Sequence, residues 1–286
     1  ASNAVKATRA NMPIVVTAYA GESSRVGGWV GAAVTTETVG AGPRSTSIRL
    51  ALSRVLRQHG PMIASWKDLC IDAVDPGLLG RFWADTLGRE LVERADGMVM
   101  LTGPTPQHRV WINRVPEPVT VKQRVHLDVH AASTDEVLAL GATPLDTTSF
   151  SWDVLRDPEG GELCVFSREQ VPAERLYEIV VDAHDTRRMA AWWAEVLGGR
   201  LEADGDGESV EAIPGAPFEF LVFEPVPEPK TVKNRIHWDV DTDDVRRLVE
   251  HGATVLREPD DDISWTVLAD PEGNELCALT RAQGAE

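Results

Sequence analysis

Little in this sequence could cross-link it or anchor it in a membrane. Three cysteines, Cys70, Cys164 and Cys277, are an odd number and too few for a disulfide framework in a chain of 286 residues, so a reducing, cytoplasmic setting is expected. No stretch reaches the roughly 18 apolar residues of a membrane span. The nearest imitation of an export signal, Lys6 and Arg9 ahead of MPIVVTAYA, has its apolar core broken by Pro13 and Thr17. Positive charge is scarce too, with 28 Lys and Arg against 45 Asp and Glu and a formal charge of −17. Residues 1–61 hold seven basic and two acidic residues, which leaves −22 on the rest. A body of that sign is not built to grip nucleic-acid phosphates or an anionic membrane. It is compatible with a small ligand held in a locally basic pocket.

What the sequence does have is a copy of itself. TVKQRVHLDV (120–129) returns as TVKNRIHWDV (231–240) with seven of ten letters identical, and SWDVLRDPEGGELC (151–164) returns as SWTVLADPEGNELC (264–277) with eleven of fourteen. VPEP at 115–118 and 226–229 and GAT at 141–143 and 252–254 keep nearly the same offset, and DAVDPGLLGRFWADTLG (72–88) is answered by DAHDTRRMAAWWAEVLG (182–198). A period of about 110 residues is domain-sized rather than solenoid-sized. The expected organisation is an N-terminal segment over 1–61, one repeat over 62–167, and a linker with the second repeat over 168–286. Within 1–61 the pattern predicts a strand-like run at Ile14–Ala20 and a basic amphipathic helix at Ser45–His59 stopped by Gly60-Pro61. Since repeat-type sequence begins near Met62, the two repeats are expected to fold without what precedes them.

Each repeat reads as strand, helix, strands, then again strand, helix, strands. WKDLCIDA (66–73) alternates, with Leu69, Ile71 and Ala73 on one face and Asp68, Cys70 and Asp72 on the other. A helix follows with Asp75 as its cap, Pro76 at its first position and Gly88 as its end. Short strands are expected around Met98–Leu101 and Arg109–Arg114, a strand at Arg124–Val129, a helix at Thr134–Leu140 capped by Ser133, and a hairpin turned by DPEG into Glu162–Phe166. Alternation sends Arg124, His126, Asp128 and Cys164 away from the helices, and likewise Arg235, His237, Asp239 and Cys277. On a flat sheet these are ordinary solvent-side residues. On a curved one they line a pocket in which Asp68, Asp72, Arg124, His126, Asp128 and Cys164 of the first repeat converge, with Asp182 at the place of Asp72 in the second. Trp83, Trp192 and Trp193 read as core, while Trp152 and Trp265 beside the hairpins read as lining a cavity mouth.

The doubled strand-helix-strands unit, the K-x-R-x-H-x-D strand, the aromatic pair before a helix-ending LG and the closing DPEGxELC resemble the vicinal oxygen chelate superfamily, in its glyoxalase-like branch. The resemblance implies an α+β fold of two tandem domains, each of two βαβββ modules forming a curved mixed sheet with helices on the outer face. In metal-using members a divalent ion is held from the first, fifth and eighth strands. Here those places fall on Asp68, His126 and Cys164, and on Glu178, His237 and Cys277. Only the histidines match the usual ligands. A carboxylate, an imidazole and a thiolate can hold Zn²⁺ with one position open, and Ni, Fe or Mn are the other ions of that chemistry. The changed positions favour metal-free pockets.

The functions this leaves are binding of a small oxygenated or aromatic molecule, a metal-assisted lyase or isomerase with Asp68 or Glu178 as base, and an interaction protein. The expected partner is a small molecule, with neither nucleic acid nor membrane, on a monomer or homodimer.

Overall fold

The computed structural model describes residues 62–281 apart from 96, 205 and 206. The strand expected at 14–20 and the helix at 45–59 lie outside the described residues. Four modules follow one another, each a strand, a helix and three strands. The first is β1 (Ala64–Ala73), α1 (Pro76–Leu87), β2 (Glu90–Glu93), β3 (Val99–Thr102) and β4 (Val110–Arg114). The second is β5 (Val125–Ala131), α2 (Thr134–Ala139), β6 (Thr143–Asp146), β7 (Asp153–Arg156) and β8 (Glu162–Ser167). The third is β9 (Leu176–Ala183), α3 (Thr186–Leu197), β10 (Arg200–Asp204), β11 (Gly207–Glu211) and β12 (Phe220–Pro225). The fourth is β13 (Ile236–Thr242), α4 (Val245–Glu250), β14 (Thr254–Arg257), β15 (Thr266–Ala269) and β16 (Glu275–Thr280).

The elements form where local chemistry directs. Asp75 accepts the Leu78 N–H at 3.1 Å, Pro76 opens α1, and Gly88 closes it at φ 64°, a left-handed position that costs glycine no Cβ clash. Asp185 and Gly198 do the same for α3. The predicted strands appear, with β13 and β5 starting one residue later than their basic residues. The weakly patterned β2 was not legible in sequence.

The α+β fold is as expected, but the strand order is not that of two side-by-side repeats. One eight-stranded mixed sheet runs β14-β15-β16-β13-β1-β4-β3-β2, and the other runs β10-β11-β12-β9-β5-β8-β7-β6. Module one therefore pairs with module four, and module two with module three. At each centre lies an antiparallel seam, β1 against β13 and β5 against β9. Helices α1 and α3 each contact strands of both sheets, and the helix-side residues, including Leu69, Ile71, Leu127, Val129, Trp83, Trp193 and Trp238, join one continuous core.

Residues 115–124 carry the chain from the first sheet to the second, and residues 226–235 carry it back. These crossovers explain the conserved-looking K-x-R. The Arg124 guanidinium donates to the carbonyls of Glu228 at 2.7 Å and Asp182 at 2.9 Å, and Arg235 donates to the carbonyls of Glu117 and, at 3.0 Å, Asp72. Each arginine clamps the other crossover. The DPEG turns add a second tie: Asp157 Oδ1 accepts the N–H groups of Glu159 and Gly161, shaping the turn, while Glu159 reaches over to the first sheet. There its two oxygens accept the N–H groups of Val74 and Asp75 at 2.8 and 2.7 Å. Glu272 repeats this at His184 and Asp185, both at 2.7 Å. A cavity of about 330 Å³ lies between the crossovers, bordered by Asp72, Lys122, Arg124, Lys233 and Arg235. No helix among the described residues is long and apolar enough to cross a membrane.

Candidate functional site

Alternation puts the polar strand residues on the face away from the core, as expected, and the seams decide which of them meet. On the first sheet Asp68 lies opposite Asp239 and Cys70 opposite His237, and Asp239 is in register with Cys277. On the second, Asp128 lies opposite Glu178 and beside Cys164, and His126 is opposite Val180. The expected sets are thus re-sorted. Asp68 is not with His126 and Cys164 but with His237 and Cys277; Glu178 is not with His237 and Cys277 but with His126 and Cys164. Alternation fixes a residue's face and not its neighbouring strand, and β5 and β13 are so alike that β1 could have paired with either.

In the first site Cys70 Sγ lies 3.6 Å from Asp239 Oδ1, Cys277 Sγ lies 3.7 Å from His237 Nε2, and His237 Nε2 lies 3.9 Å from Asp239 Oδ1. Asp68 is fully buried. Its Oδ2 faces Lys67 Nζ at 3.4 Å and Arg109 at 3.5 Å and accepts from the Trp111 indole at 3.3 Å. Arg109 also sits over the Trp111 ring, 5.5 Å from its centroid. Burial, then the negative charge of Asp68 and a hydrogen bond between the two carboxyls, raise the Asp239 pKa to about 8. Two carboxyls this close share one proton, since both cannot ionise cheaply out of water. Burial and then Lys233 lower His237 to about 4, so the imidazole is neutral. Burial, followed by Asp239, pushes both thiols upward.

The second site repeats the plan. His126 Nε2 is 3.3 Å from Asp128 Oδ1. That contact joins a neutral imidazole to a protonated carboxyl rather than forming an ion pair: burial and then Lys122 lower His126 to about 3, and burial and then Glu178 push Asp128 well above the carboxylate range. Burial and then Asp128 raise Cys164. Asp68 Oδ1 and Asp128 Oδ1 are buried without an N–H or O–H donor among the described residues. A proton held between the paired carboxyls, or a cation, would satisfy them.

Around the second site stands an aromatic wall. Trp152 stacks on Phe150 at 5.2 Å and on Phe166 at 5.4 Å, and Tyr177 meets Phe166 at 5.1 Å, Phe220 at 6.0 Å and His130 at 4.4 Å. Trp152 is thus half-buried in this wall, and Trp265, also half-buried, hydrogen-bonds Cys277 in the first site. Asp72 and Asp182 hold Lys233 and Lys122 at the far end of each face. Arg124 and Arg235, expected among the pocket residues, border the cavity between the crossovers and hold backbone carbonyls there, Arg235 also pairing with Glu159 at 3.2 Å. Trp83, Trp192 and Trp193 are core.

Sequence reasoning missed Arg109 and Trp111, although the alternation of RVWIN (109–113) carried the signal. It also missed Lys67 and Tyr177. Register shifts around Lys67 and Tyr177 bring them beside Asp68 and Glu178, and no sequence pattern announces a bulge.

The donor set fits a divalent cation. The ligand atoms of Cys70, His237 and Asp239 all lie within 4.8 Å of one another, as do those of His126, Asp128 and Cys164. A tetrahedral ion with ligands at about 2.0–2.3 Å has edges of roughly 3.3–3.8 Å. Within the two sets the His126–Asp128 and Cys70–Asp239 separations of 3.3 and 3.6 Å fall in that range, His237–Asp239 at 3.9 Å lies just above it, and both imidazoles are unprotonated.

The sequence matches the profile of the Glyoxalase-like domain twice, over residues 68–166 and 178–279. The chain belongs to the glyoxalase-like family of the vicinal oxygen chelate superfamily. No curated protein matches it significantly. Among solved structures, glyoxalase I from Zea mays superposes with a TM-score of 0.52 at 15% identity, covering 76% of this chain and 92% of that one. A putative dioxygenase from Bacillus subtilis superposes with a TM-score of 0.52 at 14% identity, covering 77% and 86%. At these identities the likeness concerns the fold alone.

Proposed function

We propose that this glyoxalase-like protein binds small oxygenated or aromatic molecules on its two concave faces, one ligand per seam. The observation that supports this best is the carboxyl pair at each seam, Asp68 with Asp239 and Asp128 with Glu178, set beside a neutral histidine. A protonated Asp239 donates a hydrogen bond to a ligand oxygen, His237 accepts from a ligand hydroxyl, and Asp68 is held in place by Lys67, Arg109 and Trp111. In the second site Asp128 and His126 take these roles, and the rings of Trp152, Phe166 and Tyr177 offer an apolar surface to the ligand.

A second reading, a metal-assisted lyase or isomerase, is favoured by the fit of the donor set. Cys70, His237 and Asp239, and His126, Asp128 and Cys164, would hold the ion. A bound Zn, Ni, Fe or Mn supplies Lewis-acid polarisation of vicinal oxygens. Asp68 and Glu178, one strand away, are then the groups placed to take a proton next to a carbonyl.

One preparation separates the two. Protein purified with neither added metal nor chelator is assayed for metal content, and small carboxylates and phenols are titrated into chelated protein while tryptophan fluorescence is followed. Saturable quenching by metal-free protein, weakened by Asp239→Ala and Asp128→Ala, is expected. Stoichiometric metal that disappears in His126→Ala combined with His237→Ala, with no ligand binding after chelation, would replace the first reading with the second.

A further inference from the structure

The two sites share their carboxyl pair, histidine and cysteine, yet the residues around that set have diverged. We infer that the two seams select ligands of opposite character: the first takes a small planar carboxylate, the second an uncharged aromatic molecule. The inference rests on the reading of both concave faces as binding sites.

Structural register sets the equivalences. Asp68 and Glu178 lie opposite Asp239 and Asp128, and Cys70 and Val180 are in register with Trp111 and Val222. Lys67 therefore corresponds to Tyr177, Arg109 to Phe220 and Asn113 to Glu224. In the first site both cations reach the same oxygen of Asp68, at 3.4 and 3.5 Å, and both keep solvent access, with 23% and 31% of their side chains exposed. A carboxyl pair is common to both sites, so the sites differ in what flanks it, and the first site adds two cations at its opening. Even with Asp241 standing where the second site has His130, the flanking positions of the first site total +1.

In the second site the corresponding positions are neutral rings, and Glu224, which adds its negative charge against Asp128, replaces Asn113. Its nearby cations are engaged: Lys122 is held by Asp182, and Arg168 lies over the Phe166 and Tyr177 rings at 5.5 and 5.6 Å. An anion there would meet a carboxyl pair and Glu224, with Lys122 drawn to Asp182 and Arg168 seated on the outer rings. A flat neutral molecule would instead find a stacking surface of Trp152, Phe166 and Tyr177. In the first site the stacking surface is Trp111, with Arg109 already seated on it, a combination that suits a carboxylate attached to a ring or a planar chain.

The test uses the full chain, chelated, with benzoate and benzamide as isosteric probes and calorimetry as readout. Arg109→Gln combined with Lys67→Gln is expected to weaken benzoate binding about tenfold or more while changing benzamide far less. Phe220→Ala is expected to weaken benzamide more than benzoate. Benzoate affinity should also fall with added NaCl more steeply than benzamide affinity. Should the double variant fail to fold, Arg109→Gln alone, which leaves Lys67 on Asp68, carries the same comparison. Both probes weakened to the same degree by either variant would overturn the division of labour while leaving two binding sites in place. No saturable binding of either probe would overturn the binding reading and this inference together.

Discussion

Asp68 and Asp239, 171 positions apart and supplied by different repeats, are direct cross-strand partners in a site closed to water on the Asp68 side. Their enforced closeness makes stability depend on pH. Asp239 titrates at about 8 in the folded protein and near 4 when unfolded, so the native state holds the extra proton between those values. Stability contributed by the protonated pair is fully present below pH 4 and is lost as pH rises through 8. Asp239→Asn removes the dependence. In metal-free protein it should raise the unfolding free energy at pH 8.5 by on the order of a few kcal/mol, and leave it nearly unchanged at pH 4.5. Equal shifts at both pH values would mean the two carboxyls do not share a proton.

Acid should act through the histidines. His126 and His237 titrate at about 3 and 4 when buried, against 6.5 unfolded, so the unfolded chain binds more protons between these limits. Native stability falls as pH drops from 6.5 toward 3. Replacing both with glutamine should flatten the stability profile over pH 4–6, as read by urea unfolding. A profile as steep as that of the parent would place the acid sensitivity elsewhere.

Glu159 and Glu272 tie the sheets together, and Glu159 is further held by Arg235 at 3.2 Å. Each accepts two backbone N–H groups at the entry to α1 or α3, bonds that a neutral side chain makes less well. Glu159→Ala and Glu272→Ala are each expected to cost about 1–3 kcal/mol, with the glutamine variants in between. A neutral effect in chemical denaturation would show that water replaces the carboxylate without loss.

Gly199 offers a packing test. A Cβ at this position would stand 2.8 Å from Ile213 Cγ1, 3.1 Å from the Glu211 carbonyl oxygen, and closer still to Val210. Gly199→Ala should destabilise by about 1–3 kcal/mol, because the backbone oxygen cannot move aside. An unchanged urea midpoint would mean that the β10–β11 hairpin shifts freely.

The face of the site residues outside the two bulges was legible in the sequence. His126, Asp128 and Cys164 alternate with Val125, Leu127 and Val165, and no other arrangement buries the aliphatic set. The caps Asp75 and Asp185 and the stops Gly88 and Gly198 were legible for the same local reason. The company each site residue keeps was not. Asp68 had two nearly identical strands to choose from, and the choice is made by the crossovers at 115–124 and 226–235, whose arginines bond mainly to backbone carbonyls, with Arg235 also paired to Glu159 at 3.2 Å across the two sheets. Glu159 looked like part of a turn because Asp157 alone accounts for the turn, and its partners, two backbone N–H groups and the Arg235 guanidinium, lie far away in sequence.

The exchange of modules between sheets also has a consequence for how such a molecule can change over generations. A substitution at Lys67 alters a site whose histidine and one of whose carboxyls come from the other half of the gene, and a substitution at His126 alters a site completed by Glu178. Neither repeat can decay, be deleted or acquire a new specificity by itself, because each owns half of both sites. Residues 62–167 expressed alone should accordingly pair with a second copy of themselves, and sedimentation of that fragment as a well-folded monomer would contradict this. The two halves are bound to a common ancestry not only in sequence but in fate.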